Sequence, residues 1–288
     1  MPSETRFQAP ILGAHVDARH GLWNAYANAA AMGAQAIQVH ATPPGFWGSP
    51  KPTDEDAEKF REAAAEAGNP PFYFHAVYLI NLASDDPKVH PRSESTLGGH
   101  LLAADKLGID GVIFHVGSHK GAGFEACLPM ITGKIARALE RADPQKARLL
   151  IENNAGQGGC VGARFEEIRA MIDAVGDPRV GSCFDTCHAF ASGYDLRTAA
   201  DAKRTIDEWD RVVGLDRLDA IHTNDSQTGL GSMRDRHANI GFGEIGEEGF
   251  RALLHDRRLA TKPFILEVPG AGNGPDQANL DTLRRLAG

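Results

Sequence analysis

Short apolar runs alternate with amphipathic helical patterns along the whole chain. Each run is five or six residues long, and apolar residues recur at helical spacing in the stretch that follows it. The predicted strands are residues 11–16, 36–40, 72–77, 111–115, 149–153, 180–185, 218–222 and 264–268. The predicted helices are residues 21–33, 53–68, 94–108, 125–142, 165–175, 199–213, 247–259 and 277–287.

This alternation predicts an α/β fold consisting of a single (β/α)₈ TIM barrel. Eight strand–helix units fill the 288 residues without a linker or low-complexity tract, so we expect one domain over residues 1–288. A doubly wound open sheet is the competing architecture. It usually has fewer units, and its binding groups gather at one switch point rather than at most strand ends.

The bulk composition excludes few functions. A formal net charge of −8 argues at first against a nucleic-acid partner, but three divalent ions would bring it to about −2. The four cysteines form no CxxC pair, which favours a reducing, cytoplasmic setting. No apolar run approaches the roughly 18 residues of a membrane span. The N-terminal ten residues hold no apolar signal region, so we expect no export.

Side chains that can bind metal stand at the carboxyl ends of most apolar runs. In the clearest case the run at residues 180–184 ends on Asp185, and His188 follows three residues later. Because the strand ends of a barrel surround one opening, we expect these side chains to lie together. The set comprises His75, His115, Glu152, Asp185, His188, His222, Asp235, His237 and Glu267.

The composition of this set points to bound metal. A charged group on a hydrophobic strand is costly unless it is paired or metal-bound. Five imidazoles and four carboxylates, with no thiolate, are the ligands of catalytic zinc or manganese, and nine ligands require two or three ions. Asp235 and His237 point to the same side of an extended segment, so both can reach one ion. We interpret Cys187, inside the same motif, as a small buried residue.

The segments that carry these residues resemble endonuclease IV, the zinc-dependent apurinic/apyrimidinic endonuclease family of DNA base-excision repair. The most specific match is DTCHAFASGYDLRT at 185–198, and the matches run from the first strand to the last. The other matching segments are GAHV at 13–16, YLINLAS at 78–84, FHVGSH at 114–119, IENNAGQG at 151–158, HTND at 222–225, DRH at 235–237 and LE at 266–267.

The resemblance implies a xylose-isomerase-like barrel with three zinc ions at the C-terminal mouth of the strands. The implied ligands are His75 and His115 with Glu152 for one ion, Glu152 with Asp185, His222 and Glu267 for a second, and His188, Asp235 and His237 for the third. Manganese accepts the same ligands and is a partial substitute. Glu152 and Glu267 are the expected catalytic residues.

The implied reaction is hydrolysis of double-stranded DNA at abasic sites. A metal-bridging hydroxide would cut the phosphodiester 5′ of the lesion, leaving a 3′-hydroxyl and a 5′-deoxyribose phosphate. The resemblance implies no obligate protein partner and no membrane association.

One loop departs from the family pattern. Family members commonly place an arginine after the second strand, where it enters the DNA stack, but HATPPGFWG at 40–48 has no arginine or lysine. Phe46 or Trp47 would act as an apolar wedge instead, or the loop packs on the barrel rim. Tyr78 matches the family's other intercalating position, and two histidines near the mouth would orient ligands or contact phosphate. The expected substrate-binding residues are Tyr78, Phe46, Trp47, His15 and His119.

Two other functions fit parts of the sequence. A sugar isomerase or epimerase of the xylose-isomerase-like barrels needs only Glu152, Asp185, His222 and Glu267, which leaves five of the nine candidates without a role. A catalytically inactive DNA- or metal-binding scaffold does not require the complete ligand set. The metal content per chain separates the two enzymes, since about three ions favour the nuclease and one or two favour the isomerase.

Overall fold

Eight parallel strands form a closed barrel in the computed structural model, which describes residues 9–288. The strands are β1 Ile11–His15, β2 Ala36–His40, β3 Phe72–His75, β4 Gly111–Phe114, β5 Arg148–Glu152, β6 Val180–Asp185, β7 Leu218–His222 and, after a ribbon of β8 Asp225–Ser226 and β9 His237–Ala238, β10 Pro263–Leu266. Each barrel strand pairs with its neighbours in sequence, and β1 closes the ring against β10. The predicted (β/α)₈ barrel is confirmed. Most of the N-terminal stretch in which no export signal was expected lies outside the described residues.

Helices surround the barrel and begin where local sequence favours them. Thr53 starts the second helix with a capping box: its hydroxyl accepts from the Asp56 N–H at 3.1 Å, and the Asp56 carboxylate accepts from the Thr53 N–H at 2.8 Å. Within residues 9–288, no helix combines the length and apolar character of a membrane span. The helices are α1 Asn24–Met32, α2 Asp54–Glu66, α3 His90–Leu107, α4 Phe124–Ala142, α5 Phe165–Val175, α6 Thr186–Ser192, α7 Ala199–Val212, α8 Gly246–Leu254 and α9 Gln277–Ala287.

The strands bury one set of side chains inside the barrel and another against the helices. In β4, Val112 and Phe114 pack in the large core between barrel and helices, whereas Ile113 faces the interior. Gly13 allows β1 to lie close to Ala36 of β2, because a Cβ at this position would be only 2.5 Å from the carbonyl oxygen of Ala36. The interior layer consists of Ala36, Tyr73, Ile113, Leu150, Cys183, Ala220 and Ile265.

The next inward positions, two residues further along each strand, form a polar ring at the C-terminal mouth. Side chains two residues apart point to the same side of a strand, so seven members of this ring stand above members of the interior layer, and His15 stands above Gly13. We call it the mouth ring. Its members are His15, Gln38, His75, His115, Glu152, Asp185, His222 and Glu267.

Two elements that strand–helix patterning does not predict complete the mouth. The short helix α6 follows β6 directly, and β8 pairs with β9 as an antiparallel ribbon. The fully buried carboxylate of Asp225 accepts from the backbone N–H groups of Gly241, Gly243 and Ile245 at 2.9–3.0 Å. Asp225 therefore organises the loop after the ribbon.

We predict that Lys134 of α4 stabilises the loop that carries Tyr78. Lys134 is fully buried, and its Nζ donates to the carbonyl oxygens of Leu82 and Ser84 at 2.8 Å each. Lys134→Met keeps a side chain of similar length but removes both charge-assisted hydrogen bonds. The free energy of unfolding should therefore fall by about 3 kcal/mol in urea denaturation. Lys88→Met, in the same loop but exposed, should change it by less than about 0.5 kcal/mol. Equal losses in the two variants would contradict this role.

Candidate metal centre

Glu152 is the fully buried centre of the polar cluster at the mouth. One carboxylate oxygen, Oε2, lies 3.2 Å from His75 Nε2 and 3.5 Å from His115 Nε2. The other, Oε1, lies 2.9 Å from His222 Nδ1 and 3.3 Å from His188 Nδ1. The two oxygens thus face different groups of imidazoles, as a carboxylate that bridges two ions must.

A second group of ligand atoms lies on the other side of Glu152. Single ligand atoms of Glu152, Asp185, His222 and Glu267 all lie within 4.8 Å of one another. His222 Nδ1 is 3.2 Å from Glu267 Oε2 and 3.9 Å from Asp185 Oδ2. Three carboxylates and one imidazole form a strongly anionic set that suits a divalent cation.

The third group lies nearest to solvent. The side chain of Asp235 is 44% exposed, and its two oxygens lie 3.2 Å from His188 Nε2 and 3.3 Å from His237 Nε2. His237 Nε2 is also 3.8 Å from Asp185 Oδ2, so Asp185 faces both the second and the third group. Cys187 lies close to Asp235 and His237, but its thiol donates to a backbone carbonyl and burial raises its pKa to about 12.

Backbone carbonyl oxygens orient three of the imidazoles. His75 Nδ1 donates to the carbonyl of the next residue at 2.8 Å, His188 Nδ1 to Asn153 at 3.0 Å and His237 Nδ1 to Glu267 at 3.3 Å. Because a carbonyl only accepts, each Nδ1 carries a proton, and each Nε2 faces the site, where its lone pair would be available to an ion. The Nε2 atoms of His188 and His237 are buried and, within the described residues, lie beside Asp235 without forming a well-aligned hydrogen bond. These atoms and the donor set fit bound divalent ions.

The electrostatics favour ionised carboxylates. Burial alone would raise the pKa of Glu152, Glu267 and Asp235, but neighbouring imidazoles outweigh it and hold each pKa well below its ordinary value. For Glu267 the principal imidazole is His222, and for Asp235 it is His188. Ionised carboxylates in a buried cluster attract cations strongly.

Helix α6 places His188 beside the strand ends. Asp185 caps this helix, since its Oδ1 accepts from the backbone N–H of His188 at 2.7 Å. Asn224 donates to the other oxygen, Oδ2, at 2.7 Å, and Asn153 accepts from the Asp185 N–H at 2.6 Å. Asp185 differs from the other carboxylates in that burial raises its pKa. One residue therefore positions the helix and also faces two ligand groups.

The residues predicted to contact DNA separate into exposed and packed groups. Tyr78 is 55% exposed, and its ring lies nearly parallel to that of His115 at 5.6 Å. Phe46 is 61% exposed, whereas Trp47 is half-buried and packs against the hydrophobic core. The two aromatic residues of this loop therefore differ in their access to a substrate.

The two predicted histidines at the mouth lie in different surroundings. His15 belongs to the mouth ring, with Nδ1 3.8 Å from Glu267 Oε1. His119 lies in the loop after β4, where its Nδ1 accepts from the backbone N–H groups of Gly121 and Gly123 at 3.1 and 3.2 Å. The structure thus joins His15 to the metal-ligand candidates and gives His119 contacts within its own loop.

Sequence reasoning missed Gln38, His40 and the asparagines around the site. Gln38 is buried among His15, His222 and Glu267, and the signal for it was the strand alternation, which turns Gln38 to the same inward side as the strand-terminal His40. The His40 ring lies 4.3 Å from that of His15, and burial lowers its pKa to about 3. Asparagine contacts depend on neighbouring strands and leave no pattern in the sequence.

Comparisons with known proteins agree with this arrangement. Residues 26–286 match the family described as xylose isomerase-like TIM barrel. A protein of Oleidesulfovibrio alaskensis named probable endonuclease 4 is 45% identical over 282 residues, which cover 97% of this chain and 96% of that protein. The crystal structure of endonuclease IV from Thermus thermophilus matches with a TM-score of 0.85 and 36% identity, covering 96% of this chain and 98% of that one.

More distant barrels share the fold alone. The crystal structure of a D-tagatose 3-epimerase-like protein matches with a TM-score of 0.73 but 16% identity, over 96% of each chain. The family resemblance inferred from the sequence motifs is confirmed by the full-length relatives. The chain belongs to the endonuclease IV family of xylose isomerase-like TIM barrels.

Proposed function

We propose that this hydrolase of the endonuclease IV family is a metal-dependent apurinic/apyrimidinic endonuclease of DNA base-excision repair. It hydrolyses the phosphodiester 5′ of an abasic site and leaves a 3′-hydroxyl and a 5′-deoxyribose phosphate. The observation that supports this best is the convergence of nine His, Asp and Glu side chains in three adjoining groups around Glu152. Zinc is the proposed metal, with three ions per chain.

The protein's residues prepare the site for this chemistry. When bound, the ions would make water a nucleophile near neutral pH and offset charge on the phosphate and the leaving oxygen. Glu152 holds two groups of ligands on its opposite oxygens, and carbonyl groups accept from the Nδ1 atoms of His75, His188 and His237, which leaves their Nε2 atoms for an ion. The site is thereby organised before substrate binds.

The rim of the mouth offers contacts to the phosphate backbone and to the stacked bases of a DNA duplex. Exposed Arg19, Lys120 and Arg236 lie in loops that leave the C-terminal ends of the strands, where phosphate oxygens would reach them. Phe46 and Tyr78 present exposed aromatic rings at the same end. An aromatic wedge filling the gap beside a displaced abasic nucleotide offsets part of the cost of unstacking.

A sugar isomerase would use only part of this centre. The group of Glu152, Asp185, His222 and Glu267 suffices for it, as inferred from the sequence. It leaves without a purpose the third group, in which the Asp235 oxygens lie 3.2 and 3.3 Å from the Nε2 atoms of His188 and His237. Charged groups on a buried surface are costly unless they are paired or bound to metal, so the complete set favours the nuclease.

Metal removal should abolish the activity. Nine ligands predict about three zinc ions per chain by inductively coupled plasma mass spectrometry, and prolonged chelation should stop cleavage of abasic duplex slowly, because buried multidentate sites release ions slowly. Chelator saturated with zinc beforehand is the control, and added zinc should restore the rate. One or two ions would favour the isomerase, and undiminished activity after verified metal loss would contradict metal dependence.

Replacing the bridging carboxylate should stop the chemistry and spare DNA binding. Glu152→Gln removes a negative charge between two ion positions, so we expect single-turnover cleavage to slow by about 10³-fold or more. Binding to abasic duplex, which depends largely on backbone contacts, should stay within about threefold of wild type. Glu62→Gln, on the exposed side of α2, should leave both properties unchanged. Cleavage by Glu152→Gln within tenfold of wild type would exclude the bridging role.

The two aromatic residues of the 40–48 loop should separate binding from stability. Phe46→Ala should weaken abasic duplex binding by about tenfold through lost stacking, with little change in melting temperature, because Phe46 is exposed. Trp47→Ala should instead lower the melting temperature, because Trp47 packs against the core. Fluorescence anisotropy and thermal denaturation of both variants test this. Wild-type affinity in Phe46→Ala would rule out the wedge.

A further inference from the structure

Gln38 occupies the mouth ring without belonging to any candidate ligand group. It is fully buried on β2 and points inward, two residues before His40, the residue that pairs with His75 of β3. An uncharged amide in a ring of imidazoles and carboxylates requires every one of its polar atoms to be matched. Its contacts therefore show what it does.

The amide of Gln38 connects three other members of the ring. Its Nε2 donates to Glu267 Oε1 at 2.5 Å and to His15 Nδ1 at 3.0 Å. Its Oε1 accepts from His222 Nε2 at 2.7 Å. Both N–H groups and the carbonyl oxygen are thus engaged. The opposite amide orientation would set two acceptor oxygens against each other at the Glu267 contact, so the carboxylate selects the orientation observed.

These hydrogen bonds decide which atoms of the two ligand candidates face the cluster. Because Gln38 Oε1 only accepts, His222 carries its proton on Nε2 and presents Nδ1, which lies 2.9 Å from Glu152 and 3.2 Å from Glu267 Oε2. Because Gln38 engages Glu267 Oε1, that carboxylate turns Oε2 toward the same point. His222 would therefore bind an ion through Nδ1, whereas His75, His188 and His237 present Nε2.

We propose that Gln38 is a positioning residue for the second ligand group, setting the tautomer of His222 and the coordinating oxygen of Glu267. This inference rests on the proposed function in one respect, namely that the second group holds an ion. Gln38 itself belongs to none of the ligand groups. It acts through the two ligands, as outer hydrogen-bond partners of metal ligands generally do.

Zinc affinity of Gln38→Met tests the proposal directly. Methionine has a similar length and no amide. The affinity for one of the bound zinc ions should therefore fall by about 10–100-fold in a competitive chelator titration, while the affinities for the others stay unchanged. The metal-free variant should melt close to metal-free wild type. Ser182→Ala is the matched control, since Ser182 is a buried strand residue whose hydroxyl donates to the Arg217 carbonyl at 2.9 Å, away from the mouth. It should keep every zinc ion at wild-type affinity.

A measurement on the wild-type protein covers the case in which the variant does not fold. In zinc-loaded protein labelled with ¹⁵N-histidine, one ligand histidine should be coordinated through Nδ1 and protonated at Nε2. Coordination of every ligand histidine through Nε2 would overturn the proposal. So would unchanged zinc affinity in Gln38→Met, or an equal drop in melting temperature with and without zinc, which indicates packing alone. A wild-type protein that binds no zinc would overturn the proposed function together with this inference, whereas the other outcomes affect Gln38 alone.

Discussion

The buried charge of Glu152 is the constraint on which the rest of the mouth depends. A carboxylate without solvent contact is very costly unless opposite charges or metal ions surround it. The imidazoles that meet it come from four elements, since His75 ends β3, His115 follows β4, His188 lies on α6 and His222 ends β7. The site therefore exists only when the barrel is closed, because no single segment supplies all the imidazoles that surround Glu152.

The same strands build the core and the site in successive layers. Inward positions such as Leu150 and Ala220 fill the barrel, and two residues later the inward positions are Glu152 and His222. The apolar layer excludes water from below the ligands, which strengthens every charge interaction above it. Gln38 belongs to this second layer and connects ligands that would otherwise rotate independently.

Related barrels show that the fold alone does not specify this chemistry. The D-tagatose 3-epimerase-like barrel shares the architecture at 16% identity. The present chain carries its chemistry in its ligand groups. Besides the group that an isomerase would use, it places two more groups around the same opening, one at the ends of β3 and β4 and one on α6 and at the start of β9. Asp235 opens the last of these to solvent, where a polymeric substrate can approach.

The sequence by itself determined the barrel and the nine candidate ligands, because strand periodicity and strand ends are local properties that survive in the order of residues. Tertiary structure alone decided how those ligands are oriented. The cap of α6 by Asp185, the exposure of Phe46 beside packed Trp47, and the role of Gln38 all became visible only in the folded chain. Gln38 and Glu267 are separated by 229 residues, yet their hydrogen bond sets which oxygen faces the cluster. Such contacts exist only after the barrel closes, so no local pattern records them.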